Sequence, residues 1–201
     1  MKYFAVLLFL FVSISAFAQE QTLLGVEDVE HGGYGAFVIK FTNLNDEFAV
    51  VVGARGGWII NHTFAIGFAG YGVTNNVHSM TIGPLDQRFM NLGYGGLDLE
   101  LILNSDGLAH FSVHSLIGAG GVGFRGGWDD DWMGERDDET SHHDGFFILE
   151  PGVNVDLNVM PWFRFSAGAS YRYVSGVSSG ASNNGYLKGP SAILTFRFGK
   201  F

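Results

Sequence analysis

The chain contains no cysteine, which excludes disulfides, thiolate chemistry and lipid attachment through an N-terminal cysteine. Charge is also sparse. Only 15% of the 201 residues are charged, and 11 Lys and Arg against 20 Asp and Glu leave a net charge of −9. No basic patch is available to neutralise phosphates, which argues against nucleic acid as a partner. Beyond residue 18 no apolar run reaches the roughly 18 residues that a membrane-spanning helix needs. What is present is apolar and aromatic: 47% of residues are hydrophobic, with 30 glycines and 19 phenylalanines. Such a chain is too apolar to be disordered, and without a membrane helix this composition points to strands.

The opening MKYFAVLLFLFVSISAFAQE has one lysine, an apolar stretch from Phe4 to Ile14, and Ala16-Phe17-Ala18. This is the pattern of a secretory signal peptide over residues 1–18, with a small-x-small cleavage site before Gln19. Residues 19–32 are polar without periodicity and read as a flexible lead-in.

From Gly33 onward the alternation becomes regular. In FFILEPGVNVDLNV, residues 146–159, Phe147, Leu149, Val153, Val155, Leu157 and Val159 fall on one set of positions, and Glu150, Gly152, Asn154, Asp156 and Asn158 on the other. Successive side chains on a strand point to opposite faces, so this is a strand with one apolar and one mostly polar side. Eight such segments follow one another, over 33–43, 47–59, 63–73, 89–103, 108–123, 146–159, 162–174 and 187–199. Short turns at Ile60–His62, Asn104–Gly107 and Met160–Pro161 alternate with long connections at 74–88, 124–145 and 175–186, while the first connection, Leu44–Asp46, is short. An even number of strands with short turns on one rim and long connections on the other describes an all-β, eight-stranded antiparallel up-and-down barrel over residues 33–201.

Two features decide which face lies inside. On the second strand Phe48 and Trp58 begin and end the apolar face, ten residues apart. At about 3.4 Å per residue and a tilt near 45°, that is roughly 24 Å along a membrane normal, about the height of the apolar band of a membrane barrel with its aromatic girdles. Phe163, Phe165, Tyr171 and Tyr173 repeat the pattern on the seventh strand, whose opposite face carries Trp162, Arg164, Ser166, Gly168, Ser170 and Arg172. Collected over all strands, this second face holds Lys40, Arg55, Arg164, Arg172 and Arg197 against Glu47, Asp98, Glu100, Glu150 and Asp156. Five charges of each sign suit a closed interior in which each finds a partner, since unpaired buried charges are costly. Eight strands leave an interior that side chains can just fill. A soluble ligand-carrying barrel would instead expose a surface of Gly, Ser and Asn with few lysines and leave the aromatic ends without a reason. A transmembrane barrel is therefore expected, with Val153, Val155 and Leu157 facing lipid.

On this pattern, the loop asymmetry and the ending SAILTFRFGKF, the chain resembles the small eight-stranded outer-membrane barrels of the outer membrane protein A transmembrane-domain and outer membrane protein X type. The resemblance covers essentially the whole chain after the expected cleavage site before Gln19. It implies an integral, monomeric protein of the bacterial outer membrane, with residues 19–32 in the periplasm and membrane lipid as its surroundings. It also implies insertion by the barrel-assembly machinery, for which Phe201 serves as the assembly signal. Phe201 is out of phase with Ala192, Leu194, Phe196 and Phe198, so a bulge near Gly199 or a variant signal is expected.

The connection FRGGWDDDWMGERDDETSHHDG, 124–145, holds eight acidic residues against Arg125 and Arg136. Ca²⁺ takes 6–8 oxygen ligands, and Asp129, Asp131 and Gly134 fall on EF-hand positions, but Met133 and Thr140 break the motif. A solvated acidic loop is the simpler reading. Trp128, Asp129, Asp130, Asp131, Trp132, Asp137, Asp138, His142 and His143 are the candidates for an external ligand or cation, Ca²⁺ or a transition metal bound by imidazole. No cofactor is otherwise expected. His110, Ser112 and His114 share an inward face near acids. A Ser-His-acid hydrolase needs these groups within hydrogen-bond reach. They follow a short turn, the wrong rim for lipid chemistry at the outer leaflet, so a polar network is expected and not an enzyme. Gly118–Gly127 lacks the Lys-Ser/Thr of a phosphate-binding loop. The function expected is a closed barrel with a structural or surface-interaction role through its external loops. A narrow pore for small polar solutes is the alternative, and a lipid-modifying enzyme a further one.

Overall fold

The computed structural model describes residues 29–75, 77–78, 89–125, 144–177 and 184–201. The expected signal peptide, most of the lead-in and the acidic loop candidates Trp128 to His143 lie outside these residues. The alternating pattern forms eight strands of ten or more residues. They are β1 (His31–Leu44), β2 (Glu47–Ile60), β3 (Phe64–Val73), β4 (Phe89–Leu103), β5 (Ala109–Arg125), β6 (Asp144–Met160), β7 (Phe163–Ser175) and β8 (Gly189–Lys200). A two-residue strand, Val77–His78, pairs with the start of β4, and a single helical turn, α1 (Asn184–Leu187), precedes β8. The first strand starts at His31, within the stretch read as lead-in.

Each strand pairs antiparallel with its chain neighbours, β3 pairs with β4, and β1 pairs with β8. The sheet is therefore a closed ring without an edge, which removes the row of unpaired backbone groups that hydrocarbon cannot satisfy. The registers fix its geometry. Ser191 pairs with Thr42 of β1 on one side. On the other side the pairing path runs through Ser170, Gly152, His114, Glu100, Ala65 and Ile59 and returns to β1 at Gly32. Thr42 and Gly32 differ by ten residues. A stagger of this kind tilts strands about 35–45° to the barrel axis.

The tight turns explain why two connections need so few residues. Asn45 and Asp46 (φ 51° and 62°) and Asn61 and His62 (φ 50° and 53°) all occupy the left-handed region. Thr63 N donates to Ile60 O at 3.1 Å. Two consecutive left-handed residues form the mirror-image turn whose twist matches that of the flanking strands. Asn tolerates this region and β-branched residues do not. Asn61→Val should therefore destabilise the barrel by about 1–2 kcal/mol, and Asn61→Gly should be tolerated, as read by urea unfolding in detergent.

Candidate functional site: a layered interior

The inward faces of the eight strands meet in a filled lumen that changes character along its length. Near the rim of short turns lies a network of charges. Glu100 of β4 accepts from Arg197 Nη2 at 2.7 Å and from the Tyr34 hydroxyl at 3.4 Å, and Arg55 Nη2 stands 3.9 Å away. Arg55 Nη1 also donates to Asp98 at 3.5 Å. Asp156 of β6 accepts from Ser112 at 2.6 Å and from Ser166, with Arg197 at 3.9 Å. Arg197 and Arg164 rest over the rings of Tyr34 (4.6 Å) and Phe201 (4.1 Å). Every one of these charged side chains is buried, and an ion in that position needs both charge partners and hydrogen bonds.

A second polar layer stands nearer the other rim. Lys40 Nζ donates to Glu150 at 2.8 Å and sits 3.5 Å from the centre of the Tyr71 ring, with the Tyr94 ring 5.4 Å away on the partner position of β4. Ser170 also donates to Glu150, at 2.6 Å. Between the two layers lies an apolar belt of Val38, Ala69, Leu116 and Ile193, all buried. On β8, Ile193 separates Ser191 from Thr195; on β1, Val38 precedes Lys40; on β5, Leu116 follows His114. Beyond the upper layer, Leu44, Val51, Leu92, Ile148 and Val174 pack with Leu187 of α1. The turn is tied down by Asn45 N donating to Tyr186 O at 3.0 Å and by Val177 N donating to Asn184 Oδ1 at 3.1 Å.

Of the charged residues expected in the lumen, Lys40, Arg55, Asp98, Glu100, Glu150, Asp156, Arg164, Arg172 and Arg197 are all buried. Four expectations need correction. Glu47 is half-buried, at the end of the inward side of β2 beside the first turn. Trp162 is exposed and stacks outside on Phe198, since it belongs to the turn before β7 and not to its inward face. Arg164 and Arg172 make no ion pair with a carboxylate among the described residues: one rests on an aromatic ring, and the other donates to Leu187 O at 2.6 Å. No bulge occurs at Gly199 against β1, where pairing runs unbroken through Tyr34 and Gly199 to Gly33 and Lys200. Phe201 is instead inward, packed with Tyr34, Ala36, Ile59, Ala65 and Ile102. The register shift that does occur lies at Asn158 and Met160.

Ser112 donates its hydroxyl to Asp156, and His114 Nδ1 faces Asn154 Nδ2 at 3.1 Å. His110, Ser112 and His114 are brought to one end of the lumen, with no Ser–His hydrogen bond among the described residues. No group of three or more His, Asp or Glu among the described residues could hold a metal ion. The apolar belt and the α1 turn were missed from the sequence, where Leu187 reads as the first residue of the last strand, which instead starts at Gly189.

Outside, the polarity reverses. Phe37, Ile66, Phe68, Leu101, Val113, Val153 and Val155 are exposed, at up to 73% for Phe68. Trp58, Trp162, Phe163 and Phe198 gather toward the short-turn rim, with Phe163 and Phe198 rings 5.0 Å apart, and Phe41, Phe48, Tyr171 and Tyr173 toward the other. A closed ring that is charged within and apolar without, bounded by two aromatic girdles, is an eight-stranded antiparallel up-and-down transmembrane β-barrel.

No family model matches the chain, and no curated protein matches it. Among solved structures, the crystal structure of Neisserial surface protein A aligns with a TM-score of 0.55 at 13% identity, over 87% of this chain and 100% of that one. Ail, the attachment invasion locus protein of Yersinia pestis, aligns with a TM-score of 0.48 at 11% identity, over 86% of this chain and 99% of that one. At this identity the likeness is one of fold.

Proposed function

We propose that the protein is an integral barrel of the bacterial outer membrane, exported by residues 1–18, inserted by the barrel-assembly machinery, and monomeric. Its interior serves as a closed, charge-knit scaffold, and a surface-interaction role falls to the rim that carries the long connections. The observation that carries this reading is the reversed polarity of the wall, with Val153 56% exposed while Asn154 and Asp156 beside it are buried. The filled lumen argues against steady conductance, because the belt of Val38, Ala69, Leu116 and Ile193 and the Leu187 seal interrupt any polar path. The reading assigns no catalytic step and no resident cofactor to the chain.

The test is gel mobility of membrane-extracted protein, boiled against unboiled, together with fractionation. A membrane barrel should sediment with the outer membrane and run at a shifted apparent mass until boiled. Val153→Arg, halfway along the wall, should destabilise it by about 2–4 kcal/mol. A soluble periplasmic protein that tolerates this substitution would overturn the assignment of faces.

A further inference from the structure

The glycines of the wall near the short-turn rim are of two kinds. On inward positions, a β-carbon at Gly32 would stand 2.3 Å from the Lys200 carbonyl oxygen, one at Gly57 2.6 Å from that of Ile66, and one at Gly199 2.2 Å from that of Gly33. Close strand approach requires these three. On outward positions the same atom at Gly35 would meet nothing within 4 Å, and at Gly33 only the Gly57 carbonyl oxygen, at 3.7 Å. The barrel therefore has room for a side chain at both, and each glycine inside a strand costs stability relative to alanine. A strand glycine that the fold does not need is the mark of another molecule approaching the backbone closely.

The registers set both positions in a groove on the outer wall. Gly35 lies between Gly56 of β2 and Phe198 of β8, and Gly33 between Trp58 of β2 and Lys200 of β8. The floor is thus the bare backbone of Gly33, Gly35 and Gly56. Exposed Phe198 forms one wall, with the Trp162 ring stacked on it at 6.2 Å. Exposed Trp58 forms the other, with the His31 ring 5.1 Å away. Phe37, the next outward residue of β1, is exposed and closes the upper end. The walls stand on the two strands that flank β1, two strand spacings or about 10 Å apart. A hydrocarbon chain fits between them, and the broad convex wall of a second barrel does not. At the open lower end Lys200 is exposed, a cation at the level where a lipid phosphate meets water.

We propose that this groove holds one anionic phospholipid from the leaflet on the short-turn side. Its acyl chain lies along Gly33, Gly35 and Gly56 between Phe198 and Trp58, and its phosphate meets the Lys200 ammonium. This rests on the lipid-facing reading of the wall.

The experiment places the folded full-length chain in neutral maltoside micelles, adds phosphatidylglycerol or phosphatidylcholine with the same acyl chains, and counts retained lipid by native mass spectrometry. The parent should keep one phosphatidylglycerol per barrel, bound about fivefold more tightly than phosphatidylcholine. Lys200→Gln should remove that preference. Gly35→Leu fills the floor, where the added atoms have open space, and should weaken retention of both lipids about tenfold. Ala167→Leu, at an exposed outward position of β7 away from the groove, should retain lipid as the parent does. Should Gly35→Leu fail to fold, the double variant Gly33→Ala and Gly35→Ala is read instead, and must also weaken retention. Unchanged retention once the floor is filled, equal retention of the two lipids by the parent, or a dimer that Gly35→Leu disperses overturns the proposal. A parent barrel that shows the boiling-dependent mobility shift but retains no lipid overturns the groove alone; absence of the shift overturns the membrane reading beneath it.

Discussion

Glu100→Ala should lower the stability of the folded barrel by about 3–5 kcal/mol, enough to abolish or nearly abolish the heat-sensitive mobility shift. Glu100 is the junction of the lower network, with Arg197 at 2.7 Å, Arg55 at 3.9 Å and the Tyr34 hydroxyl at 3.4 Å. Removing the carboxylate leaves two guanidiniums inside a water-poor lumen with only Asp98 and Asp156 to share. The cost is the stranding of those cations, not the loss of any one contact. Glu100→Gln keeps the side-chain volume and an acceptor and should fall between parent and alanine variant. Combining Glu100→Ala with Arg197→Met should recover part of the loss, because contacting residues do not act additively. Urea titrations of detergent-folded protein measure all four. A Glu100→Ala barrel within 1 kcal/mol of the parent would show that the lower network is not a stabilising junction.

The second large effect is expected from the smallest side chain. Gly96 of β4 pairs with Gly118 of β5, both on inward positions. A β-carbon at Gly96 would stand 2.2 Å from the Ile117 carbonyl oxygen, and one at Gly118 would stand 2.1 Å from the Gly95 carbonyl oxygen. These obstacles are backbone and cannot swing aside. Gly96→Val should therefore cost about 3 kcal/mol or more, or block folding. Gly70, on the outward face, has nothing within 4 Å of the same added atom. Gly70→Ala should be neutral or stabilising by up to about 1 kcal/mol, since it removes freedom from the unfolded chain. Equal losses at Gly96 and Gly70 would mean that close strand approach is not what the inward glycine provides.

How much of this was legible follows from which forces act locally. Alternation with a period of two is written in the chain itself, so all eight strands, the side facing outward and the identity of the nine buried charged residues could be read directly. Partnership could not, because it depends on the ten-residue stagger that brings Thr42 and Gly32 onto one path. That stagger sets Lys40 against Glu150, 110 residues away. The lower end of the lumen was misjudged for a similar reason. Phe201 was measured against its neighbours on β8 and found out of phase, whereas its phase is the inward one, and it packs beneath Tyr34 and Ile59. Trp162 was assigned a face by extending β7 one residue too far into the turn, where alternation no longer applies. The apolar belt escaped notice because Val38, Ala69, Leu116 and Ile193 come from four strands and form a layer only once the ring is closed.

The seam between β1 and β8 pairs Gly33 with Lys200 and Thr42 with Ser191. In space this seam is no different from the seven others, yet it joins the two ends of the barrel-forming sequence. Its entropic penalty grows only logarithmically with the length of chain it encloses, about 0.6 kcal/mol per doubling, so distance along the chain does not by itself make the seam weak. A ring of this kind has no first strand. What the wall recognises is cyclic order, and the linear order of the chain is one of eight ways of cutting the same circle.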